Sequence, residues 1–142
     1  MQSHSKTILV IDDDYRELDI MDCILNEAGY RVLVAEDGET GVQRAFFAQP
    51  DLILLDVMMP GMSGHKAAQL LRSNPRTKDI PIFFKSCNYS AQSIVEGFVI
   101  GVDDYLKKPV NHAQLLHKIR IRFASDRLQH LKDIDSSAHA LP

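Results

Sequence analysis

At 142 residues the chain has the length of one domain and is too short for two comfortable ones. Its 45% hydrophobic content is enough for one core, and a formal net charge of −3 with a sequence pI near 6.0 excludes a basic electrostatic grip on nucleic acid or on an anionic membrane. The polar first six residues lack an apolar leader and no run approaches a membrane span, so the protein is expected to be cytoplasmic, with no membrane partner and no direct nucleic-acid binding.

Short apolar runs alternate with helical segments. Residues 7–11 (TILVI) form a β-branched run without polar alternation, as in a parallel strand covered on both faces. Residues 15–28 carry Leu18, Met21, Ile24, Leu25 and Ala28 at helical spacing, and Gly29 supplies a stop. A second strand at 31–35 leads into a helix at 39–48, with Pro50 just beyond its end. Residues 51–55 give a third strand and 64–72 a short helix. A fourth strand covers 80–84 with Pro81 at its start, where a missing N–H costs least. Residues 91–100 form a helix ending at Gly101, residues 104–106 a minimal fifth strand, and Asn111 caps a last helix. That helix is expected to run to about residue 134, with 135–142 frayed. The alternation implies right-handed βαβ crossovers and a parallel sheet between two helical layers. The domain itself is assigned to residues 1–123, and 124–142 to a C-terminal extension.

In an open parallel sheet, functional side chains gather beyond the carboxyl ends of the strands. The first strand is followed by Asp12, Asp13 and Asp14, the third by Asp56, the fourth by Lys85 and Ser86, and the fifth by Lys107 and Lys108. Clustered carboxylates repel one another, and a divalent cation relieves that repulsion. Magnesium suits such a site because it is commonly held by one or two carboxylates, waters and a substrate phosphate. A carboxylate there can attack phosphorus to form an acyl phosphate, with an amine and a hydroxyl binding the phosphoryl oxygens.

The segments ILVIDDD (8–14), DLILLDVMMPGMSG (51–64), IPIFFKS (80–86) and GVDDYLKKP (101–109) resemble, in order and interval, the response-regulator receiver domains of two-component signalling. The resemblance implies a flavodoxin-like fold with strand order 2-1-3-4-5, an order for which receiver proteins are a standing example. It makes Asp56 the phosphoacceptor, Asp13 a direct magnesium ligand, Asp12 a ligand largely through water, and the Met58 carbonyl the third protein ligand, with manganese as a substitute ion. Ser86 becomes the switch hydroxyl, Lys108 the phosphate-binding amine, and Tyr105 the ring that turns inward on activation. A cis Lys108–Pro109 bond is also implied. The expected partners are a sensor histidine kinase or a histidine phosphotransfer protein. Output would pass through a face made by the fourth helix, fifth strand and fifth helix, to a protein partner or to a homodimer through those helices or the C-terminal extension.

Each position has a plainer reading. Asp12 to Asp14 can cap a helix, and Asp14 is expected to do so. Tyr105, taken alone, reads as a surface strand residue. Cys23 and Cys87 read as small buried hydrophobes, and the histidines at 4, 65, 112, 117, 130 and 139 as solvated. Lys85 departs from the apolar residue usual at that place in receivers. In a strand covered on both faces its ammonium must snorkel to water or find an acid, and snorkelling takes the larger share. Ile121, Ala124, Leu128 and Leu131 form a short a/d-like stripe, about two heptads, for a seam, a connection to an output domain, or a helix that packs back or frays.

Three other functions compete. An aspartyl phosphatase needs a second acid two residues after its nucleophile, where Met58 stands. A flavin binder needs a phosphate-cradling loop after the first strand, where the acidic run would repel it. A pseudo-receiver used only for docking, or a receiver joined to an enzymatic output domain, keeps the same fold.

Overall fold

The five apolar runs pair side by side into one sheet, in the computed structural model that describes residues 5–140, with side chains to residue 135. The chain divides into two compact units, Met1–Val110 and Asn111–Pro142, taken in turn. The first holds β1 (Thr7–Ile11), α1 (Tyr15–Glu27), β2 (Arg31–Ala35), α2 (Gly38–Ala48), β3 (Leu52–Asp56), α3 (Gly64–Ser73), β4 (Ile82–Ser86), α4 (Ala91–Ile100) and β5 (Asp104–Lys107). All pairings are parallel and the order is β2-β1-β3-β4-β5, as the receiver resemblance implies.

β1, β3 and β4 are buried almost throughout because helices cover both faces, so every position along them faces a packed layer. Leu9 pairs with Ile53, and Ile53 with Ile82. Around them Leu55, Ala67, Leu71, Phe84 and Val102 close the core between sheet and helices. The order reverses between β1 and β3, which opens a crevice at their carboxyl ends. Helix starts are fixed locally. Asp14 accepts from the Arg16 amide at 2.9 Å, Asp37 from Thr40 at 2.7 Å, and Ser63 from Lys66 at 3.2 Å, as N-caps do.

Expectations shift at several places, β3 among them, which runs one residue later than 51–55. β4 begins at Ile82 rather than at residue 80, because Pro81 has no N–H and the Ile80 amide closes a turn on the Thr77 carbonyl. Cys23 and Cys87 are exposed rather than buried. Cys23 lies two residues from both Met21 and Leu25, which a helical pitch turns toward the core, and so faces away from it. Cys87 opens the loop after β4. His65 is half-buried rather than solvated, edge-on to Phe84 at 5.3 Å, and its Nε2 is buried without a partner. His112, His117 and His130 are exposed. His4 lies outside the described residues, and His139 outside those with described side chains.

The second unit is α5 (His112–Ala140). The Asn111 side chain accepts from the Gln114 amide at 2.9 Å and caps its start. Leu115, Ile119 and Phe123 form a buried stripe, whereas Ile121, Leu128 and Leu131 are exposed. The helix continues past residue 134 to Ala140 instead of fraying from 135. Its 29 residues span about 43 Å at 1.5 Å per residue.

Candidate phosphoacceptor site

At the mouth of the crevice, Asp12 follows β1 and Asp56 closes β3. Carboxylate oxygens of Asp12, Asp13 and Asp56 lie within 4.8 Å of one another. Asp12 and Asp56 are buried and Asp13 is exposed. Lys108, just past β5, brings Nζ to 3.0 Å from Asp56 Oδ2 and 3.8 Å from Asp12 Oδ2. Its amide donates to the Ser86 carbonyl at 2.9 Å, and the Lys108–Pro109 bond that follows is cis. The Met58 amide donates to Asp56 Oδ1 at 3.3 Å.

The close approach of α3 to Asp56 depends on a missing side chain. A Cβ at Gly64 would stand 2.3 Å from the Asp56 carbonyl oxygen and 2.7 Å from Val57 Cα. Only glycine lets the helix start there. Its amide donates to the Val57 carbonyl at 2.9 Å, which fixes the loop carrying Met58.

Lys85 neither snorkels nor reaches water. It is completely buried, and its Nζ lies 3.0 Å from Asp12 Oδ2, an oxygen equally hidden. In register Lys85 stands opposite Asp56 on β3, so its stem crosses the end of that strand to an acid beyond β1. Asp12 is thereby engaged on both oxygens, since Oδ1 accepts from the Asp14 amide at 3.0 Å. A charged residue within an all-apolar strand signalled an anomaly; that its partner would be Asp12, 73 positions away, was not readable.

These neighbours set the protonation of the acids. Burial alone would raise the Asp12 pKa, but the Lys85 ammonium, the Asp14 amide and Lys108 outweigh it and hold Asp12 below the usual carboxylate range. Burial raises Asp56 to about 6, opposed by the Lys108 hydrogen bond and reinforced by the Asp12 charge. For Lys108, burial is outweighed by the hydrogen bond to Asp56 and by the Asp12 charge, so its pKa rises.

Ser86 is buried at the end of β4, and its Oγ accepts from the Asn88 amide at 3.0 Å. Tyr105 is buried at 3% exposure, against the surface position expected of it in isolation. Its hydroxyl meets Ser93 Oγ on α4 at 2.6 Å, and its ring packs edge-on against Phe84 and Tyr89, both at 5.7 Å. Phe84 directly faces Tyr105 in the β4–β5 ladder, which holds the ring inward. This tie to Ser93 escaped the sequence reading, since a serine in a helix's first turn reads equally well as a cap. The carboxylates, Lys85 and Lys108 thus converge at the crevice, while Tyr105 lies one layer away, under α4.

A parallel sheet in this order, with acids at the tips of β1 and β3 and an amine after β5, defines a receiver-like class of α/β domain. A family model described as response regulator receiver domain matches residues 8–120, and the chain belongs to that family, the receiver domains of two-component systems. Among relatives, it is 42% identical over 113 residues to the DNA-binding dual master transcriptional regulator RpaA of Synechocystis, covering 80% of this chain and 47% of that protein. It is 35% identical to the phosphate regulon transcriptional regulatory protein PhoB of Pseudomonas aeruginosa, covering 81% and 50%. Among solved structures, the Vibrio cholerae chemotaxis protein CheY4 superimposes with a TM-score of 0.79 at 30% identity, covering 82% of this chain and 98% of that one. A CheY-like receiver domain protein from Methanospirillum hungatei gives 0.81 at 28% identity, covering 89% and 99%.

The chain spans about half the length of these two curated relatives. The expectation of no direct nucleic-acid binding is corrected here, because RpaA is a DNA-binding regulator by name and PhoB a transcriptional one. That expectation rested on the charge and motifs of these 142 residues, and such an argument reaches no further than the half of the relatives it covers. No helix among the described residues is long and apolar enough to cross a membrane.

Proposed function

We propose that Asp56 accepts a phosphoryl group from a phosphohistidine donor, a sensor histidine kinase or a histidine phosphotransfer protein, with magnesium bound at the acidic cluster. One observation carries the reading: a buried carboxylate at the switch point has two further carboxylates within 4.8 Å and an ammonium at 3.0 Å. Three oxygen donors of this kind fit a hard divalent cation, and Asp56, its pKa raised by burial and further by the Asp12 charge, is an acid whose ionised form such a cation would stabilise. Asp13, Asp56 and the Met58 carbonyl would hold the ion, with Asp12 acting through water; when bound, it would neutralise charge developing on the phosphoryl oxygens.

The chain's own residues do the rest. With a pKa of about 6, Asp56 is mostly ionised at pH 7 and presents an oxygen to phosphorus. The new O–P bond forms as the donor's N–P bond breaks, and the imidazole nitrogen keeps the bonding pair. Lys108 follows the charge from the carboxylate to the phosphoryl oxygens, and water later returns Asp56 and free phosphate. Ser86 would leave the Asn88 amide to bond a phosphoryl oxygen. Tyr105, joined to Ser93, would report that movement to α4 and reshape the α4–β5 surface for a downstream partner, a two-state bias. We assign this activity to residues 1–123, with 124–142 as extension; the family match ending at residue 120 and the exposure of Leu128 and Leu131 support the boundary.

Incubation with acetyl phosphate and magnesium chloride, followed by intact-mass measurement, tests the reading. The native chain is expected to gain one phosphoryl group, and Asp56→Asn none. A native chain that stays unmodified, or an Asn variant that is modified equally, rejects it.

A further inference from the structure

Lys85 has no part in the chemistry just described, yet it is the only lysine among the described residues that is completely buried. Its ammonium sits within the acidic cluster, 3.0 Å from Asp12. Burying an unpaired ammonium is costly, and the pairing with Asp12 is what lets it lie there.

The charges around the crevice show what the arrangement does. Asp12, Asp13 and Asp56 contribute three negative charges when ionised, and Lys85 and Lys108 two positive ones. A divalent ion entering this cluster leaves it with an excess positive charge. Without Lys85 the same ion would bring it to neutrality. A phosphoryl group on Asp56 adds about one further negative charge, and the phosphorylated, metal-loaded cluster then balances with Lys85 included. Lys85 also takes the Asp12 oxygen that the Asp14 amide leaves open, so a water linking a cation to Asp12 must share that carboxylate with an ammonium that cannot swing into solvent.

We infer that Lys85 is a resident counter-cation of the acidic cluster, a positioning residue that weakens divalent-ion binding to the unphosphorylated chain and reserves tight binding for the phosphorylated one. The inference rests on the proposed reading of the cluster as a magnesium site, and deepens it by naming the residue that sets the ion's affinity. Lys85 stands beside Asp56 in the β3–β4 register and places its ammonium 3.0 Å from Asp12, so its charge acts at short range and in a buried setting, where screening is weak.

The test is magnesium chloride titration of the unphosphorylated full chain by calorimetry at fixed ionic strength, alongside thermal unfolding with and without the salt. Lys85→Met and Lys85→Gln are expected to bind magnesium at least tenfold more tightly than the native chain, about 1.4 kcal/mol. Lys85→Arg, which keeps the charge, stays close to native. Both neutral variants lose melting temperature without magnesium and regain more of it on addition than the native chain does. If Lys85→Met is unfolded without metal, its folding on magnesium addition supports the inference, and Lys85→Gln still supplies the affinity. Unchanged or weaker binding in the neutral variants overturns it, as does equal tightening in Lys85→Arg. A native chain that takes phosphate while the variants bind magnesium no better retires the Lys85 role and leaves the phosphoacceptor reading standing. Tighter binding in variants of a chain that takes no phosphate does the reverse.

Discussion

The two ends of the sheet handle charge in opposite ways. At the amino end, Arg72 from the last turn of α3 donates to the Gly101, Lys78 and Ile80 carbonyls at 2.9, 3.0 and 2.7 Å, and to Asp103 Oδ2 at 3.0 Å. Asp103 in turn accepts from the Ile82 amide at 2.9 Å and so registers the start of β4. Cation, anion and backbone are matched there, and both side chains keep some contact with water. At the carboxyl end, three acids crowd two ammoniums, two of the acids are buried, and Asp56 is left with a pKa near 6. One end is an interlock and the other a charge store. Functional sites retain such imbalance because the missing partner is the ligand or the reaction.

That contrast can be broken most forcefully at Asp12. Asp12→Ala strands the Lys85 ammonium in a dry interior, and a loss of about 3–5 kcal/mol in unfolding free energy is expected from denaturant titration. A loss below about 1 kcal/mol would mean that Lys85 finds water. The pH dependence is next in size. Asp56 titrates at about 6 in the folded chain and near 3.8 when unfolded. As pH falls from 6 toward 4 the folded state takes up a proton before the unfolded one does, so stability should rise by about 2–3 kcal/mol in metal-free buffer. Below that window the depressed Asp12 works the other way, and its contribution fades as pH drops through its folded pKa. Asp56→Asn should abolish the rise between pH 6 and 4, and a native profile without it refutes the assignment. The smallest effect belongs to the amino end. Asp103→Ala removes partners of Arg72 and Ile82 that water can partly replace, so a cost of about 1–2 kcal/mol is expected, with phosphoryl uptake unchanged.

How much of this was legible in the sequence depends on the range of the interaction. The element order was readable because strands covered on both faces are continuous apolar runs between helical periods, and the acids at their tips fall where such sheets place ligands. Strand order came from the receiver resemblance. What could not be read was pairing across the sheet. Lys85 announced a conflict without naming Asp12, and the Ser93–Tyr105 bond joins two residues that each have an ordinary explanation alone. Cys23 misled because an apolar neighbourhood along the chain is not one in space: the helix turns it outward between two core residues. Pro81 marked the start of the fourth strand correctly as a position of low cost, but the backbone turn ahead of it, closed from Ile80 to Thr77, moved the first strand residue two places on.

The seat of Gly64 against the last peptide of β3 bears on how a change at Asp56 leaves the site. With the helix backbone resting on the Asp56 carbonyl and no methyl group as a buffer, the acid and the first turn of α3 have no slack between them. A tilt of that peptide is felt at once by the helix, which makes the joint a stiff lever rather than a cushion. A single methyl group at this joint would push the lever off its fulcrum.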